Sequence, residues 1–504
     1  MLHTAEDLDL WRRSIKGSLS YVPTMGGLHE GHGQLMRSAR SADQGSVLVS
    51  IFVNPLQFAP NEDLERYPRT LDADVAVAES CGADAIWVPS VSAVYPDGPE
   101  NGCRIQVPGS LQRSLCGRHR PGHFDGVATV VARLLAMVRP DRLVLGEKDW
   151  QQLVILRRLV ADLGLPLSVL SVPTVRESDG LALSSRNRYL SGEQRDQAAA
   201  LPRLLRATDD GATDRLSSAL RDAGLEVEYV ERVDPVTLQP CGAEKAISLL
   251  AAAVRCGGTR LIDHVFLMSR APLVAIDGPA GAGKSTVTRA FAERLGLTYL
   301  DTGAMYRSVT WLVMSHGVDP ADGAAIEPLL DGFDLQLKSL PAGGQQVLVN
   351  GEDVSTVIRS PEVTASVSAV AAHRCVRQAL TNQQQAMGAR GGLVAEGRDI
   401  GTAVFPDAEL KVFLTATVEE RARRRALDLE QRGFPVPERS ELEAQIAKRD
   451  RLDSTREEAP LVKAADAVEL ITDGMSIDAV IDELVGQFRS RVGEEVWPTP
   501  TPEN

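Results

Sequence analysis

The chain predicts an α/β protein made of two successive halves, each built around a parallel sheet. Three observations predict it. Short apolar runs alternate with helix-period stretches in both halves. Two unrelated phosphate-facing loops, Thr24–His32 and Gly278–Ser285, each lie between an apolar run and a helical pattern. Finally, only Met268-Ser269-Arg270-Ala271-Pro272 separates the end of the first texture from the strand that restarts the alternation.

In the first half, a strand is expected before Pro23. Further strands are expected at Val47–Val53, Ala85–Val88, Leu143–Leu145 and Leu167–Val172. Between them, Val127–Leu135 is helical in period. From about 177 the texture becomes helix-rich with one strand, Glu226–Val230, which reads as a smaller α+β subdomain over 177–268. The second half predicts strands at Leu273–Ile276, Leu297–Leu300, Leu393–Ala395, Leu410–Leu414 and Ala467–Ile471. One segment departs from this alternation. Phe333–Leu337, Gly343-Gly344, Gln346–Val349 and Asn350-Gly351 read as an antiparallel insertion within 332–360, with an Asn-Gly turn. The expected domains are therefore 1–176, 177–268 and 271–490, followed by a disordered tail over 491–504 that is rich in proline and threonine.

With 504 residues, 43% hydrophobic and 24% charged, the chain can bury several cores. A net charge of −14 with no basic block argues against nucleic-acid and anionic-membrane partners. No apolar run reaches the ~20 residues of a membrane span. The six cysteines form no C-x-x-C pair. With no basic-then-apolar leader at the N-terminus, the expectation is a cytoplasmic enzyme of small-molecule substrates.

Met25, Gly26, Gly27, Leu28, His29, Glu30, Gly31 and His32 follow a strand and open a helix, so backbone amides and the helix dipole would face an anion there. The two imidazoles, one turn apart, can donate to phosphate and become cationic as negative charge develops. A surface histidine pair, or half of a zinc site, is the plainer alternative; zinc would need further ligands. Gly146, Glu147, Lys148, Asp149 and Gln152 follow another strand, where open α/β sheets place ligand loops. Lys148 offers a cation for phosphates, Asp149 an acceptor for a ribose hydroxyl, and Gln152 a hydrogen-bonding group for a small polar substrate. Leu183, Ser184, Ser185 and Arg186 add two hydroxyls and a guanidinium.

Together with Val53–Phe58 and Arg120–Val127, these stretches make residues 1–267 resemble pantothenate synthetase, a Rossmann-like nucleotidyltransferase. The resemblance implies that ATP and pantoate give pantoyl adenylate, which β-alanine attacks to release AMP and pantothenate. It implies an ATP site at Met25–His32, Gly146–Asp149, Val175 and Leu183–Arg186, with His32 in general-acid work. It also implies that Gln57 and Gln152 hold pantoate, that Gln57 serves β-alanine as well, that the C-terminal subdomain closes over the site, and that the protein is a homodimer through this half. His29, His32, Lys148 and Arg186 are the catalytic candidates. Trp150 stands where a tyrosine is usual, and Gly33 weakens the helix start by roughly 1 kcal/mol.

In the second half Gly278, Gly281, Gly283, Lys284, Ser285 and Thr286 form a complete phosphate-binding loop between strand and helix. Lys284 reaches the β/γ oxygens and Ser285 can ligate Mg²⁺. The loop is silent about the phosphoryl acceptor. Asp301, Ser368, Arg377, Arg398, Asp399, Arg449, Asp453 and Arg456 lie in helical or strand-end contexts, and a solvated charged face is the plainer reading of the run 448–456. The motifs Ile276–Pro279, Tyr299–Gly303, Gly351–Ser355, Glu396–Thr402, Val404–Pro406 and Ala459–Leu461 make residues 271–490 resemble bacterial cytidylate kinase, a P-loop nucleoside monophosphate kinase. The β insertion matches that family's monophosphate-binding domain. By that resemblance, Asp301, Ser368, Arg377, Arg398, Asp399, Arg449 and Asp453 bind CMP or dCMP, and Arg421, Arg424 and Arg456 belong to a closing lid.

The expected protein is thus bifunctional, using ATP with Mg²⁺ at both sites and no tightly bound organic cofactor. One alternative keeps the ligase but makes the second half a non-catalytic nucleotide-binding regulatory module. Another treats the first half as a tRNA-charging relative, which the acidic chain disfavours.

Overall fold

A computed structural model of the protein describes residues 1–42, 45–58, 67–209, 211–339, 345–431, 433, 435–456 and 458–500. The chain divides into two compact units: Met1–Ser269 together with Arg489–Pro498, and a second built on Arg270–Phe488. Among the described residues, no helix is long and apolar enough to cross a membrane.

The first unit holds a five-stranded sheet of β1 (Leu19–Thr24), β2 (Ser46–Ile51), β3 (Ala85–Trp87), β4 (Arg142–Gly146) and β5 (Ser168–Val172). The order is β3-β2-β1-β4-β5, and every pairing is parallel. Tyr21, Leu48 and Leu143 of the strands and Leu153 and Ile155 of the helix Trp150–Asp162 are essentially fully buried. The helix His123–Val138 buries Val127, Val130, Leu134 and Val138 on this sheet.

Its subdomain corrects the expectation of a single strand. β6 (Glu226–Val233), β7 (Ile247–Cys256) and β8 (Thr259–Met268) form an antiparallel sheet in that order. β7 hid from a periodicity reading because both its faces are buried. Leu249, Ala251 and Ala253 join the core of the parallel sheet, while Leu250, Ala252 and Val254 join a second core against Leu201, Leu205 and Leu216. A run of leucine and alanine without alternation reads as helix. The pair Gly257-Gly258, both at positive φ, makes the turn into β8.

The second unit repeats the principle with β9 (Leu273–Asp277), β10 (Thr298–Asp301), β14 (Leu393–Gly397), β15 (Leu410–Thr415) and β16 (Val468–Ile471), all parallel, in the order β10-β14-β9-β15-β16. Between β10 and β14, the insertion is a three-stranded antiparallel sheet of β11 (Leu335–Ser339), β12 (Gln345–Val349) and β13 (Glu352–Asp353). Asn350 at φ 50° and Gly351 at φ 84° close its two-residue turn, as that dipeptide predicts. Gly343 and Gly344 lie outside the described residues.

The tail is a second correction. Residues 491–498 pack into the first unit, with Val492 and Val496 buried. Proline and threonine dominate only its last few residues, whereas two valines spaced by four provide an apolar anchor.

Candidate functional site

In the first sheet β1 lies between β2 and β4, so the connections leave it in opposite directions. A ligand crevice opens at the carboxyl ends of such strands. After β1 the chain turns through Gly26 and Gly27, both at positive φ, into the helix Glu30–Ala42. The buried carboxylate of Asp74 holds this turn, accepting the amides of Gly27 (3.0 Å) and Leu28 (2.8 Å) and the hydroxyl of Thr70 (3.1 Å). Asp74 was missed from the sequence because the loop amides it holds lie 46 and 47 residues away.

The expectation that those amides face a bound anion is corrected, because groups of the protein itself accept them. The amide of His29 donates to Nδ1 of His32 (3.3 Å), and that of Gly31 to Nδ1 of His29 (3.2 Å). A backbone N–H can only donate, so each neutral ring carries its proton on Nε2 and presents a donor there. Burial, then the charges of Lys148 and Arg188, pulls the His29 pKa down to about 4. Burial, then His29, pulls His32 to about 3. Both imidazoles are therefore neutral donors at pH 7 rather than cations.

A cleft of about 510 Å³ in this unit is lined by Lys148, Asp149, Gln152, Ser184 and Arg186 together with His123, Arg260 and His264. The subdomain strands β7 and β8 form one of its walls, through Leu249, Ala251 and Thr259–His264. None of Met25–His32 lines this cleft, but they lie close to the chain that does: a Cβ on Gly27 would stand 3.3 Å from Cβ of Ser185, and one on Gly31 would stand 3.8 Å from Cβ of Leu183, next to the lining residue Ser184. Leu183 is tied to Val175 by its amide (2.9 Å). Ser184 caps the turn Ser185–Tyr189 by accepting the Arg186 amide (3.3 Å).

Gln57 is held from two sides. Its side-chain oxygen accepts from the buried Asn54 (3.0 Å), and its carbonyl accepts from Nδ1 of His123 (2.9 Å). Gly126 permits that approach, since a Cβ there would lie 2.1 Å from the Leu56 carbonyl oxygen. Trp150 is buried and donates its indole N–H to Pro235 (2.8 Å). Glu147, expected at the nucleotide, is a correction: its side chain is fully buried, absent from the cleft lining, and accepts the Ser171 hydroxyl (2.8 Å). Burial raises its pKa. His264, Asp263 and Arg176, the last two joined by two hydrogen bonds of 2.7 and 2.9 Å, carried no local sequence signal.

In the second unit β9 lies between β14 and β15, and its carboxyl end feeds the loop that opens the helix Lys284–Leu295. Gly278 passes so close to β15 that a Cβ would sit 2.0 Å from the Leu414 carbonyl oxygen. Lys284 donates to the carbonyls of Gly278 (2.7 Å) and Pro279 (2.8 Å). The Ser285 hydroxyl donates to Oε1 of Glu396 (2.6 Å), as does the Tyr299 hydroxyl (2.8 Å). Oε2 of Glu396 is buried with no hydrogen-bond partner among the described residues. Burial, then the charge of Asp301, raises its pKa. Glu396 was quoted in the sequence motif but given no role there.

One cleft of about 1590 Å³ brings together Gly281, Gly283, Lys284, Ser285, Thr286, Asp301, Ser368, Arg377, Arg398, Asp399, Arg424, Arg449, Asp453 and Arg456. Arg377 pairs with Asp399, Arg456 stands 3.5 Å from Asp399, and Arg398 donates to Asp453 (3.0 Å). Asp301 caps the helix Thr302–Ser315 through the Ala304 amide (2.8 Å) and pairs with Arg307 (3.1 Å). The loop bearing Asp399 is pinned by Asp277, whose carboxylate accepts the amides of Ile400 (2.8 Å) and Gly401 (2.7 Å). Burial pushes Asp277 up to about 6.

Lys284, Arg398 and Arg449 converge in this cleft. Burial and the charge of Arg398 lower the pKa of both Lys284 and Arg449, and Nε of Arg449 is buried with no partner among the described residues. Cations that raise one another's cost in this way are arranged for an anion. Two of the three lid candidates are corrected. Arg421 is buried, with two hydrogen bonds to Asp450 (2.9 and 2.7 Å) and one to the loop carbonyl of Ala280 (3.3 Å). Arg424 lines the cleft but is spent on Glu420, Ala282 and Thr472. Both brace the phosphate loop through its carbonyls, Arg421 from outside the cleft lining and Arg424 from within it, while Arg456 stays with Asp399 in the cleft.

A family model described as pantoate-beta-alanine ligase matches residues 1–266, and one described as cytidylate kinase matches residues 274–490. A bifunctional pantoate ligase/cytidylate kinase of Parasynechococcus marenigrum (strain WH8102) is 73% identical over 502 residues, which is 99% of this chain and 100% of that one. The chain belongs to the bifunctional pantoate ligase/cytidylate kinase family. A relative of the same description from Synechococcus sp. (strain CC9605) is 76% identical over 480 residues, 95% of this chain and 100% of its own. Pantothenate synthetase of Thermus thermophilus aligns with 53% of this chain and 99% of its own at 44% identity, with a TM-score of 0.49. The first unit is thus the ligase unit and the second the kinase unit, and both are enzymes. The regulatory-module and tRNA-charging alternatives fall away with this assignment.

Proposed function

We propose that the ligase unit joins pantoate to β-alanine through pantoyl adenylate at the cleft around Lys148, Asp149 and Arg186. In the first step the pantoate carboxylate attacks the α-phosphorus of ATP and pyrophosphate leaves. The β-alanine amine then attacks the acyl carbon, and AMP leaves. The supporting observation is the neutral Nε2–H pair of His29 and His32, which feel the charge of the cleft residue Lys148. Two fixed donors and a mobile cation suit a polyphosphate whose charge grows as the bond breaks. His32 then works as a hydrogen-bond donor that keeps its proton, rather than as an imidazolium acid. Gln57 and Gln152 hold pantoate, with Gln57 also serving β-alanine; Val175 and Leu183–Arg186 complete the nucleotide site.

The kinase unit transfers the γ-phosphoryl group of ATP to CMP or dCMP. Lys284, Arg398 and Arg449 meet the phosphates, while Ser368, the Arg377–Asp399 pair and Asp453 hold the acceptor. Mg²⁺ enters with ATP at both sites. In the kinase unit the donor set fits it: the Ser285 hydroxyl stands against the Glu396 carboxylate, whose second oxygen has no partner among the described residues, and hard oxygen donors suit this ion. Among the described residues no group of three or more His, Cys, Asp or Glu could hold a metal by itself, so the phosphates would share it. Bound there, Mg²⁺ supplies charge neutralisation at the transferring group.

The two site assignments are tested in one chain. Lys284→Ala should abolish CMP-dependent ADP formation while pantoate- and β-alanine-dependent AMP formation persists; His32→Ala should do the reverse. Loss of both activities in either variant would refute the assignment of separate sites. Homodimerisation through the ligase unit and work in the cytoplasm belong to the same reading, supported by the family resemblance and the cysteine pattern. A light-scattering mass near 54.3 kDa would remove the dimer.

A further inference from the structure

The ligase unit is completed by a segment that its own family match does not contain. Residues Arg489–Pro498 belong to it, yet the ligase match ends at 266 and the kinase match at 490. Val492 and Val496 anchor the segment apolarly. Gly493 lies so close that a Cβ would stand 2.8 Å from the Trp150 ring and 2.9 Å from Glu147. Arg489 folds the strap on itself, pairing with Glu494 (3.1 Å) and donating to the Trp497 carbonyl (2.6 Å).

Its polar contacts fall on the ends of two strands. The carboxylate of Glu147, one residue beyond β4, accepts the amides of Glu494 (2.8 Å) and Glu495 (3.0 Å). Thr174, two residues beyond β5, donates its amide to Glu495 (2.6 Å), and the other oxygen of Glu495 stands 3.5 Å from Nε2 of His264 in the cleft wall. The residues that follow these attachment points are Lys148 and Asp149 on one side, and Val175 with its partner Leu183 on the other. A buried carboxylate is costly without hydrogen bonds. The strap supplies two of the three donors to Glu147 among the described residues, so it decides whether that side chain can stay buried and its turn stay in place.

We propose that Arg489–Pro498 is a positioning strap for the nucleotide site of the ligase, with Glu495 and Glu147 as its positioning residues. This rests on the reading of Lys148 and Asp149 as ligase groups. The strap touches no reacting atom in this account; it sets the aim of groups that do.

The test compares pantoate-dependent pyrophosphate release with CMP-dependent ADP formation in the same samples. A chain ending at Phe488 should lose roughly tenfold or more in ligase kcat/KM for ATP, the scale of a small misplacement of catalytic groups. Its kinase turnover should persist, and a peptide of residues 489–500 should restore the ligase. Should the shortened chain fail to fold, full-length Glu495→Ala carries the test. It should raise KM for ATP as well as lower kcat, while Glu495→Gln, which keeps the acceptor for Thr174, should recover most of the loss. Unchanged ligase constants in Glu495→Ala would overturn the proposal, as would a fall in kcat alone at constant KM, which marks only fewer folded molecules. No pantoate-dependent release by the intact chain would instead overturn the ligase reading beneath it.

Discussion

Removing the Asp74 carboxylate should disable the ligase without touching the kinase. Its two oxygens accept the amides of Gly27 and Leu28 and the Thr70 hydroxyl inside the protein. Each buried donor left without an acceptor costs about 1–3 kcal/mol, so Asp74→Ala strands two amides at about 2–6 kcal/mol in the present loop geometry. The lower figure alone corresponds to a roughly thirtyfold shift away from that geometry. Asp74→Asn keeps one carbonyl oxygen and strands one amide, for a shift of roughly fivefold at its lower end. Ligase kcat/KM, read as pantoate-dependent pyrophosphate release, should therefore fall roughly thirtyfold or more in Asp74→Ala and about fivefold in Asp74→Asn. CMP-dependent ADP formation in the same samples should hold. Wild-type ligase constants in Asp74→Ala would refute the claim that this carboxylate holds the loop.

Two further outcomes follow from charges that the fold has shifted. Glu396→Gln should raise the Mg²⁺ concentration needed for half-maximal kinase activity several-fold, because a neutral amide beside Ser285 attracts the ion less; an unchanged Mg²⁺ titration would remove Glu396 from that role. His29 and His32 have folded pKa values of about 4 and 3, below the ordinary value of about 6.5. Between roughly pH 3 and 6.5 the unfolded chain therefore binds more protons. Their contribution is fully present above pH 6.5 and is lost as pH falls through that window. Urea unfolding of the ligase unit should show stability rising with pH from 4 to 6.5, with a shallower slope in His32→Asn; an equal slope would contradict the depressed value.

What the sequence made legible was local. Gly278–Ser285 announced itself because strand, loop and helix are contiguous, and both clefts sit where chains of strand-helix alternation place them. The charged run 448–456 was ambiguous alone, yet Arg449 and Asp453 reach the cleft while Asp450 turns away to Arg421. What stayed hidden depended on distance along the chain or on burial of both faces. β7 lost its alternation between two cores. The loop amides held by Asp74 and the partners of Glu147 lie tens to hundreds of residues off. Arg421 and Arg424 read as lid residues because most of the groups that hold them, Asp450, Ala280, Ala282 and Thr472, lie 29 to 142 residues away.

The chain order of the ligase unit also sets a timetable for its birth. Its first 269 residues leave the ribosome early, but Arg489–Pro498 emerges only after the intervening kinase residues, Arg270–Phe488. At about 5–20 residues per second that interval is ~10–40 s. During it a nascent ligase holds Glu147 without two of the three donors it has among the described residues. On the proposed role of the strap, a message cut short within the kinase half would yield a ligase unit without Arg489–Pro498 and the positioning it supplies.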